Sequence, residues 1–233
     1  MSSLKTTRSS SGFSLLELLI AMVITMALMT AASSLLASAL RMRTRENQKS
    51  DALADTQRAL NIMSREIANS GFNLSNNGIV PADSGLNRIR VRSNLNRYAV
   101  DPDPLLTPSA NSLNNVTDPQ EDITYFLNDA DKTKYLVRHD PFGTGSTVLA
   151  NRIDGMNIHY FDQKVTYTAP PGELDITGAS APEVAPAQAK YIVIAIAVTL
   201  DEVGSTGSEG HQRQYSVLLC SDVALRNWNL RSY

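Results

Sequence analysis

The chain has 233 residues, of which 42% are apolar and 19% charged, and its formal net charge is −2. This composition is typical of a folded protein with a sizeable core, and the mild acidity excludes a nucleic-acid-binding surface that depends on bulk charge. Because Cys220 is the single cysteine, no intrachain disulfide can form.

The first predicted element is a long apolar helix. It follows a short polar leader, residues 1–12, whose charges are Lys5 and Arg8. Between residues 13 and 40 the one ionisable residue is Glu17, and neither Gly nor Pro interrupts the run. About 28 helical residues span about 42 Å, which is enough to cross a bilayer. We therefore expect a transmembrane helix over 13–40.

Glu17 is expected to have a function, because a carboxylate within such a helix costs about 2.5–3.5 kcal/mol on insertion scales and needs a partner. If the chain is cut after Gly12, the new α-amino group of Phe13 lies one turn before Glu17, at i, i+4. Glu17 also lies in the first turn, where the helix dipole favours negative charge. The alternative is a polar residue that is tolerated near the end of an ordinary anchor.

The N-terminal segment resembles the type IV prepilin cleavage motif that pilins share with type II secretion pseudopilins. The resemblance covers the leader, the hexapeptide Gly-Phe-Ser-Leu-Leu-Glu at 12–17 and the apolar helix. It implies that a prepilin peptidase cleaves between Gly12 and Phe13 and N-methylates Phe13. It also implies that Glu17 neutralises the N-terminus of a neighbouring subunit during assembly. Many major pilins have Pro where this chain has Ser34, and the difference favours a minor component.

Two features of this region favour other interpretations. The triplet Ala-Ser-Ala at 37–39 is similar to a signal-peptidase site, but the apolar run before it exceeds the roughly 7–15 residues of a secretory signal. Three arginines between positions 41 and 45 outnumber the two basic residues of the leader, and flanking charge alone places the C-terminal domain in the cytoplasm. The prepilin resemblance implies instead an inner-membrane protein with a periplasmic C-terminal domain.

The helix is predicted to continue to Ser70, because residues 41–70 contain no Gly or Pro and are rich in helix-forming residues. Gly71 is expected to cap it. This amphipathic half carries an apolar stripe with a seven-residue period, Leu53, Leu60 and Ile67. We expect the stripe to lie on a sheet, although a coiled coil has the same spacing. Residues 65–72 resemble the end of the long helix in PilW-like minor pilins.

Residues 71–233 are predicted to form a globular β-rich domain with two long loops. The first, 73–121, is rich in Asn, Pro and Asp, and is interrupted by one exposed strand at 88–92. The second, 162–190, contains four prolines and is predicted to be an exposed insertion.

The strands of this domain follow from alternating apolar residues. A hairpin is predicted from 123–127 and 135–138, followed by strand residues 148–150 that lead into 153–161. In the strongest strand, 191–200, the larger side chains are expected to face the helix stripe, and 215–220 is its return strand. This order resembles PilW-like and GspJ-like proteins. Together the elements predict an α+β, type IV pilin-like fold, in which a long N-terminal helix, transmembrane in its first half, packs on an antiparallel β-sheet.

The sequence contains no recognisable catalytic constellation, and we predict that the protein is not an enzyme. The histidines lack the spacing of metal ligands (His139, His159 and His211). Cys220 is expected to be a small buried hydrophobe. The one candidate cofactor is calcium, in a turn that supplies oxygen donors but lacks the Gly and the closing Glu of an EF-hand: Asn128, Asp129 and Asp131.

The predicted function is that of a minor, PilW-like type IV pilin. Its expected partners are prepilin peptidase, the inner membrane and other pilins, which it contacts through the N-terminal helix. After assembly it is expected in a surface pilus, at the tip or in initiation, with a part in cell adhesion. Two alternatives remain open: a GspJ-like minor pseudopilin of type II secretion, and an unprocessed single-span protein that presents a binding domain.

Overall fold

The fold consists of one long helix and two antiparallel sheets, as a computed structural model of the chain shows. The structure describes residues 14–95, 116–129, 134–151, 153–170, 172–200, 202, 206–207, 211 and 213–228. Its helix and strands are, in chain order, α1 (Leu15–Ala68), β1 (Arg88–Arg92), β2 (Asp122–Asn128), β3 (Tyr135–Asp140), β4 (Gly145–Asn151), β5 (Gly155–Phe161), β6 (Tyr191–Leu200) and β7 (Tyr215–Ala224). Two short 3-10 turns lie at Pro81–Asp83 and Pro186–Gln188. The predicted α+β, pilin-like fold is confirmed, with two sheets in place of one.

Helix α1 packs against an outer strand of each sheet. One sheet has the order β1-β2-β3-β4 and the other β5-β6-β7, so β4 and β5 are not one continuous stretch. The predicted β2–β3 hairpin is confirmed, and β7 continues to Ala224, beyond its predicted end. Strands β1 and β5 contact each other, and the Ile158 N–H donates to the Leu86 carbonyl at 2.7 Å. Because α1 contacts β4, β6 and β7, it closes the open side of the two sheets.

The end of α1 differs from the prediction. The helix ends at Ala68 and its C-cap is Asn69, in right-handed helical conformation, so the prediction of Gly71 as the cap is wrong. Gly71 has φ +78° and donates its N–H to the Arg92 carbonyl at 2.9 Å. At Gly78, φ is +75° and a Cβ atom would collide with backbone atoms of Gly71 and Arg92. The two glycines therefore let the chain that leaves the helix lie directly against β1.

Strand β1 is half-buried, and the prediction that it is exposed is wrong. Ile89 and Val91 are buried. On the other face, Arg90 and Arg92 donate to the buried Asp122 carboxylate of β2 at 2.7 and 2.9 Å. Burial acts to raise the pKa of Asp122, but the hydrogen bonds and charges of the two arginines outweigh it, and the net pKa is lowered. The alternation of Arg with Ile and Val thus fixes which face of the strand meets the core.

The buried face of α1 does not follow the predicted seven-residue spacing at every position. The buried residues recur at intervals of three or four along one face, from Ala52 through Thr56, the pair Ala59 and Leu60, and Met63 to Ile67. The prediction is confirmed for Leu60 and Ile67, which are fully buried. It is wrong for Leu53, which is only half-buried. A straight helix turns its face at 3.6 residues per turn, and small Ala52 therefore lies where Leu53 was expected.

Strand β6 is buried on both faces. As predicted, its larger residues Ile192, Ile194 and Ile196 join the core that contains Leu60 and Ile67. On the opposite face, Val193, Ala195 and Ala197 are also fully buried. Residues 163–170 and 172–184, which we call the covering segment, pack against Tyr191 and Val193 of this face and belong to the region predicted to be an exposed insertion. Most of the described residues of that region are exposed, as predicted, but Val165 is buried against Phe161, Tyr191 and Val193.

Leu60→Ala and Ile194→Ala should each lower the free energy of unfolding by about 2–5 kcal/mol, because each removes fully buried methyl groups. Leu53→Ala, at a half-buried position of the same helix, should cost clearly less. Thermal unfolding of the full chain in detergent, followed by circular dichroism, measures both effects. An unchanged melting temperature in the first two variants would contradict this packing.

Candidate functional site on the N-terminal helix

Helix α1 begins with a capping box. Its N-cap, Ser14, has an extended backbone (φ −71°, ψ 143°), and the Ser14 Oγ accepts the Leu16 N–H at 3.3 Å. In return, the Glu17 carboxylate accepts the Ser14 N–H at 3.2 Å. The first turn of a helix has unpaired N–H groups and the positive end of the dipole. Both contacts therefore stabilise the start of the helix, and the position favours a negative charge.

The Glu17 carboxylate is directed towards the N-terminal end of the helix. Gly12 and Phe13 lie outside the described residues. The N–H that Glu17 accepts, however, belongs to the peptide group that joins Phe13 to Ser14. The Glu17 residue is exposed rather than enclosed by its own fold. A cation at this end of the helix, from this chain or from a neighbour, is therefore within reach of the carboxylate.

The apolar half of α1 has no packing partner within the described part of the chain. Every residue from 14 to 37 is exposed, and Leu15 and Met29 expose 86% and 71% of their surface. The helix is long and apolar enough to cross a membrane, and its most apolar stretch has no buried residue. Exposed apolar surfaces of this extent mark contacts with a membrane or with other proteins.

Three hydroxyl groups of this half find acceptors within the helix. Thr25 Oγ1 donates to the Ala21 carbonyl at 2.6 Å, and Thr30 Oγ1 donates to the Met26 carbonyl at 2.8 Å. Ser34 Oγ donates to the carbonyl three residues earlier, also at 2.8 Å. Polar groups need such internal partners where water is absent. The helix is therefore suited to a hydrocarbon or a packed-helix environment despite these residues.

Basic residues mark the change from the exposed half to the packed half of α1. Arg41 and Arg43 are exposed directly after the apolar run. Arg45, one turn after Arg41, is only 7% exposed, and its Nη2 donates to the Arg213 carbonyl at 2.8 Å. From this point the helix is part of the globular domain.

Glu66 joins the far end of α1 to the first sheet. Its carboxylate accepts hydrogen bonds from Nε and Nη2 of Arg138 at 3.0 and 3.2 Å, and from the Tyr125 hydroxyl. Burial and the charge of Glu66 raise the pKa of Tyr125 well above its ordinary value, so the phenol remains a donor. Burial acts to lower the pKa of Arg138, but Glu66 outweighs it and the net pKa is raised. The globular domain is thereby fixed to the helix that carries Glu17.

The predicted calcium residues show no assembled site in the described part of the chain. Asn128 Nδ2 donates to the Tyr135 hydroxyl at 2.6 Å, while Asp131 lies outside the described residues. Among the described residues, no group of three or more His, Cys, Asp or Glu side chains is placed to hold a metal ion.

Sequence reasoning missed the surroundings of His159. This residue is 6% exposed, and its two ring nitrogens each lie 2.7 Å from a carboxylate oxygen, of Asp175 and of Glu183. The period-two pattern of β5 does place His159 opposite Ile158, but nothing in the sequence indicates that distant acids cover it. Cys220, expected to be buried, is half-buried.

Comparison with known proteins identifies one motif. Residues 7–33 match the family model of the prokaryotic N-terminal methylation motif, which is the prepilin-type motif. No curated protein and no solved structure matches the chain. The match includes Gly12, Phe13 and Glu17 and most of the exposed apolar helix, and it ends before the globular domain.

Proposed function

We propose that this protein is a minor, PilW-like type IV pilin. It is inserted in the inner membrane with its C-terminal domain in the periplasm and its leader on the opposite side, where the leader is removed. It is then incorporated into a pilus, where it acts in initiation at the tip or in assembly. Its role is structural rather than enzymatic. Residues 1–12 are the leader, 13–40 the membrane and filament-core helix, and 71–233 the domain that the filament displays.

The observation that carries this proposal is the exposed apolar half of α1, which has Glu17 in its first turn and coincides with the methylation motif. A simple anchor needs an apolar helix but no carboxylate at its start. A subunit of a helical filament needs both, because apolar helices that pack together exclude water and leave charges to find partners among their neighbours. The rigid link through Glu66 then sets the domain at a fixed position relative to the filament core.

Processing supplies the positive partner for Glu17. Prepilin peptidase cleaves the peptide bond between Gly12 and Phe13, and this produces an α-amino group on Phe13. A single methyl group leaves that nitrogen protonated and cationic. In the free subunit, interfacial water and the helix's own first turn serve both charges, whereas in the filament Glu17 pairs with the amine of a neighbouring subunit.

Gly12→Val should leave the precursor uncut in the membrane, because the added isopropyl group lies next to the bond that the peptidase must reach. Ser9→Val, which places the same side chain three residues earlier in the leader, is the matched control and should be cut normally. The size of the membrane-bound protein on an immunoblot shows the result. Normal cleavage of Gly12→Val would contradict the proposed site.

A further inference from the structure

The outer face of the β5-β6-β7 sheet carries a row of residues beneath the covering segment. His159, Val193 and Asp222 are register partners on neighbouring strands and share this face. Tyr191 lies beside Val193 on β6, and Cys220 lies beside Asp222 on β7. The covering segment runs over the row, so that His159 is enclosed between the sheet and the segment.

Both ring nitrogens of His159 meet acceptors of the covering segment. Nδ1 lies 2.7 Å from Glu183 Oε1, and Nε2 lies 2.7 Å from Asp175 Oδ1. Ionised carboxylates only accept hydrogen bonds, and a neutral imidazole has a single N–H group. The imidazolium alone donates to both carboxylates, through two charge-assisted hydrogen bonds. The observed arrangement is therefore complete only when His159 is protonated.

The other contacts that hold the covering segment do not change with pH near neutrality. The Val184 N–H donates to the Tyr160 carbonyl at 2.9 Å, and Val165 is buried against the sheet. The Tyr167 hydroxyl donates to Asp222 Oδ1 at 2.7 Å. Burial and this hydrogen bond raise the pKa of Tyr167 above its ordinary value, so its hydroxyl stays protonated. His159 is thus the member of this set whose number of N–H donors depends on its protonation state.

We propose that hydrogen bonds from His159 hold the covering segment on the sheet in a pH-dependent way. Protonated, it holds Asp175 and Glu183 and keeps the segment on the sheet. When pH rises and the imidazole loses a proton, one nitrogen faces a carboxylate without a hydrogen atom between them. That contact becomes repulsive, and the segment opens more often from the face that contains Val193.

The surrounding charges set the direction of this effect. Asp175 and Glu183 face His159 directly, while Tyr160 interacts with Glu183 and Cys220 with Asp175. In the same row, Tyr167 and Tyr191 interact with Asp222. Each of them is either neutral or negative near neutral pH. The imidazolium is therefore the positive charge that offsets the carboxylates. Both hydrogen bonds from His159 are present when His159 is protonated and Asp175 and Glu183 are ionised, and one of them is lost as pH rises.

Cys220 is a built-in reporter of this opening. It is the single cysteine, it is half-buried, and it lies two residues before Asp222, to which Tyr167 of the covering segment donates a hydrogen bond. Burial raises the pKa of the Cys220 thiol to about 11, and Asp222 adds to the effect. A neutral reagent such as N-ethylmaleimide therefore reacts with Cys220 mainly when the segment is open.

The experiment compares the labelling rate of the full chain in detergent with that of His159→Asn at the same pH. Because the same Cys220 thiol is labelled in both proteins, dividing one rate by the other removes the effect of pH on the fraction of Cys220 that is thiolate. At about pH 5.5 the variant should react about tenfold faster, because the wild type then keeps a charge-assisted hydrogen bond that the variant lacks. At about pH 8.5 the ratio should approach one. A ratio that does not vary with pH would overturn the proposal.

Two further variants complete the test. His139→Asn, on the other sheet, removes a histidine whose Nδ1 lies 3.0 Å from the Ser146 hydroxyl oxygen, and its labelling rate relative to wild type should stay near one at both pH values. Glu183→Gln keeps an acceptor at a side chain that is 52% exposed, and it should preserve folding while removing one charge. In this variant Cys220 should be labelled faster than in wild type at about pH 5.5, and at nearly the wild-type rate at about pH 8.5. Should His159→Asn fail to fold, equal labelling of Glu183→Gln and wild type at both pH values would overturn the proposal.

Discussion

Glu17→Ala should leave membrane insertion and leader cleavage close to wild type, while the amount of subunit in sheared surface filaments falls about tenfold or more. In the membrane, the N-terminal amine and Glu17 both lie at one end of an apolar helix, where interfacial water reaches them. In a filament, helices pack against each other and water is largely excluded. Removal of one member of a buried charge pair costs about 3–5 kcal/mol, because the other charge is left without a partner. The cost therefore falls on the assembled state.

The comparison requires membrane and filament fractions of wild type and variant, measured by immunoblot. Glu46→Ala is the matched control, since Glu46 is an exposed acid of the same helix beyond its apolar half. It should enter filaments normally. Equal filament fractions for Glu17→Ala and wild type would leave Glu17 without a role in assembly. Failure of Glu17→Ala to insert would indicate a role in anchoring instead.

Glu66→Ala should lower the free energy of unfolding by about 3 kcal/mol, because it leaves a partly buried guanidinium and a buried phenol without their acceptor. The Arg138 and Glu66 side chains are only 12% and 19% exposed. Arg138 retains Asp140 as a more distant partner, at 3.8 Å. This remaining attraction keeps the expected loss below the upper end of the range for buried pairs.

Asp55→Ala, at an exposed acid of the same helix, is the control and should change stability by less than about 0.5 kcal/mol. Denaturant unfolding of both variants and of the double variant Glu66→Ala/Arg138→Ala gives the coupling energy. The free energy of unfolding should fall less in the double variant than the sum of its decreases in the two single variants. Losses that add in full would show that the two side chains do not interact.

The N-terminal helix and its start could be predicted from the sequence because the residues that determine them are close together in the chain. Ser14 and Glu17 form a capping box at three residues' distance, and this pattern can be recognised without a fold. The absence of Gly and Pro between 13 and 70 predicts one long helix, and the structure extends it from Leu15 to Ala68. Period-two alternation similarly predicts which face of β6 meets the helix.

The parts that could not be predicted depend on residues far apart in the chain. Prolines and small residues between 162 and 190 predict a loop, but loop composition does not show that Val165 packs on β6. The partners of His159 are 16 and 24 residues away, at no characteristic spacing. The cap at Asn69 differs from the expected Gly71 because the exit of the helix is fixed by pairing with Arg92 of β1, a tertiary contact.

The central claim, that this chain is a processed pilin subunit, is tested most directly by mass spectrometry of the protein isolated from its native host. The account predicts an N-terminal peptide that begins at Phe13 and is one methyl group heavier than the unmodified sequence. A protein whose chain begins at Met1, or after cleavage near residue 39, would contradict it.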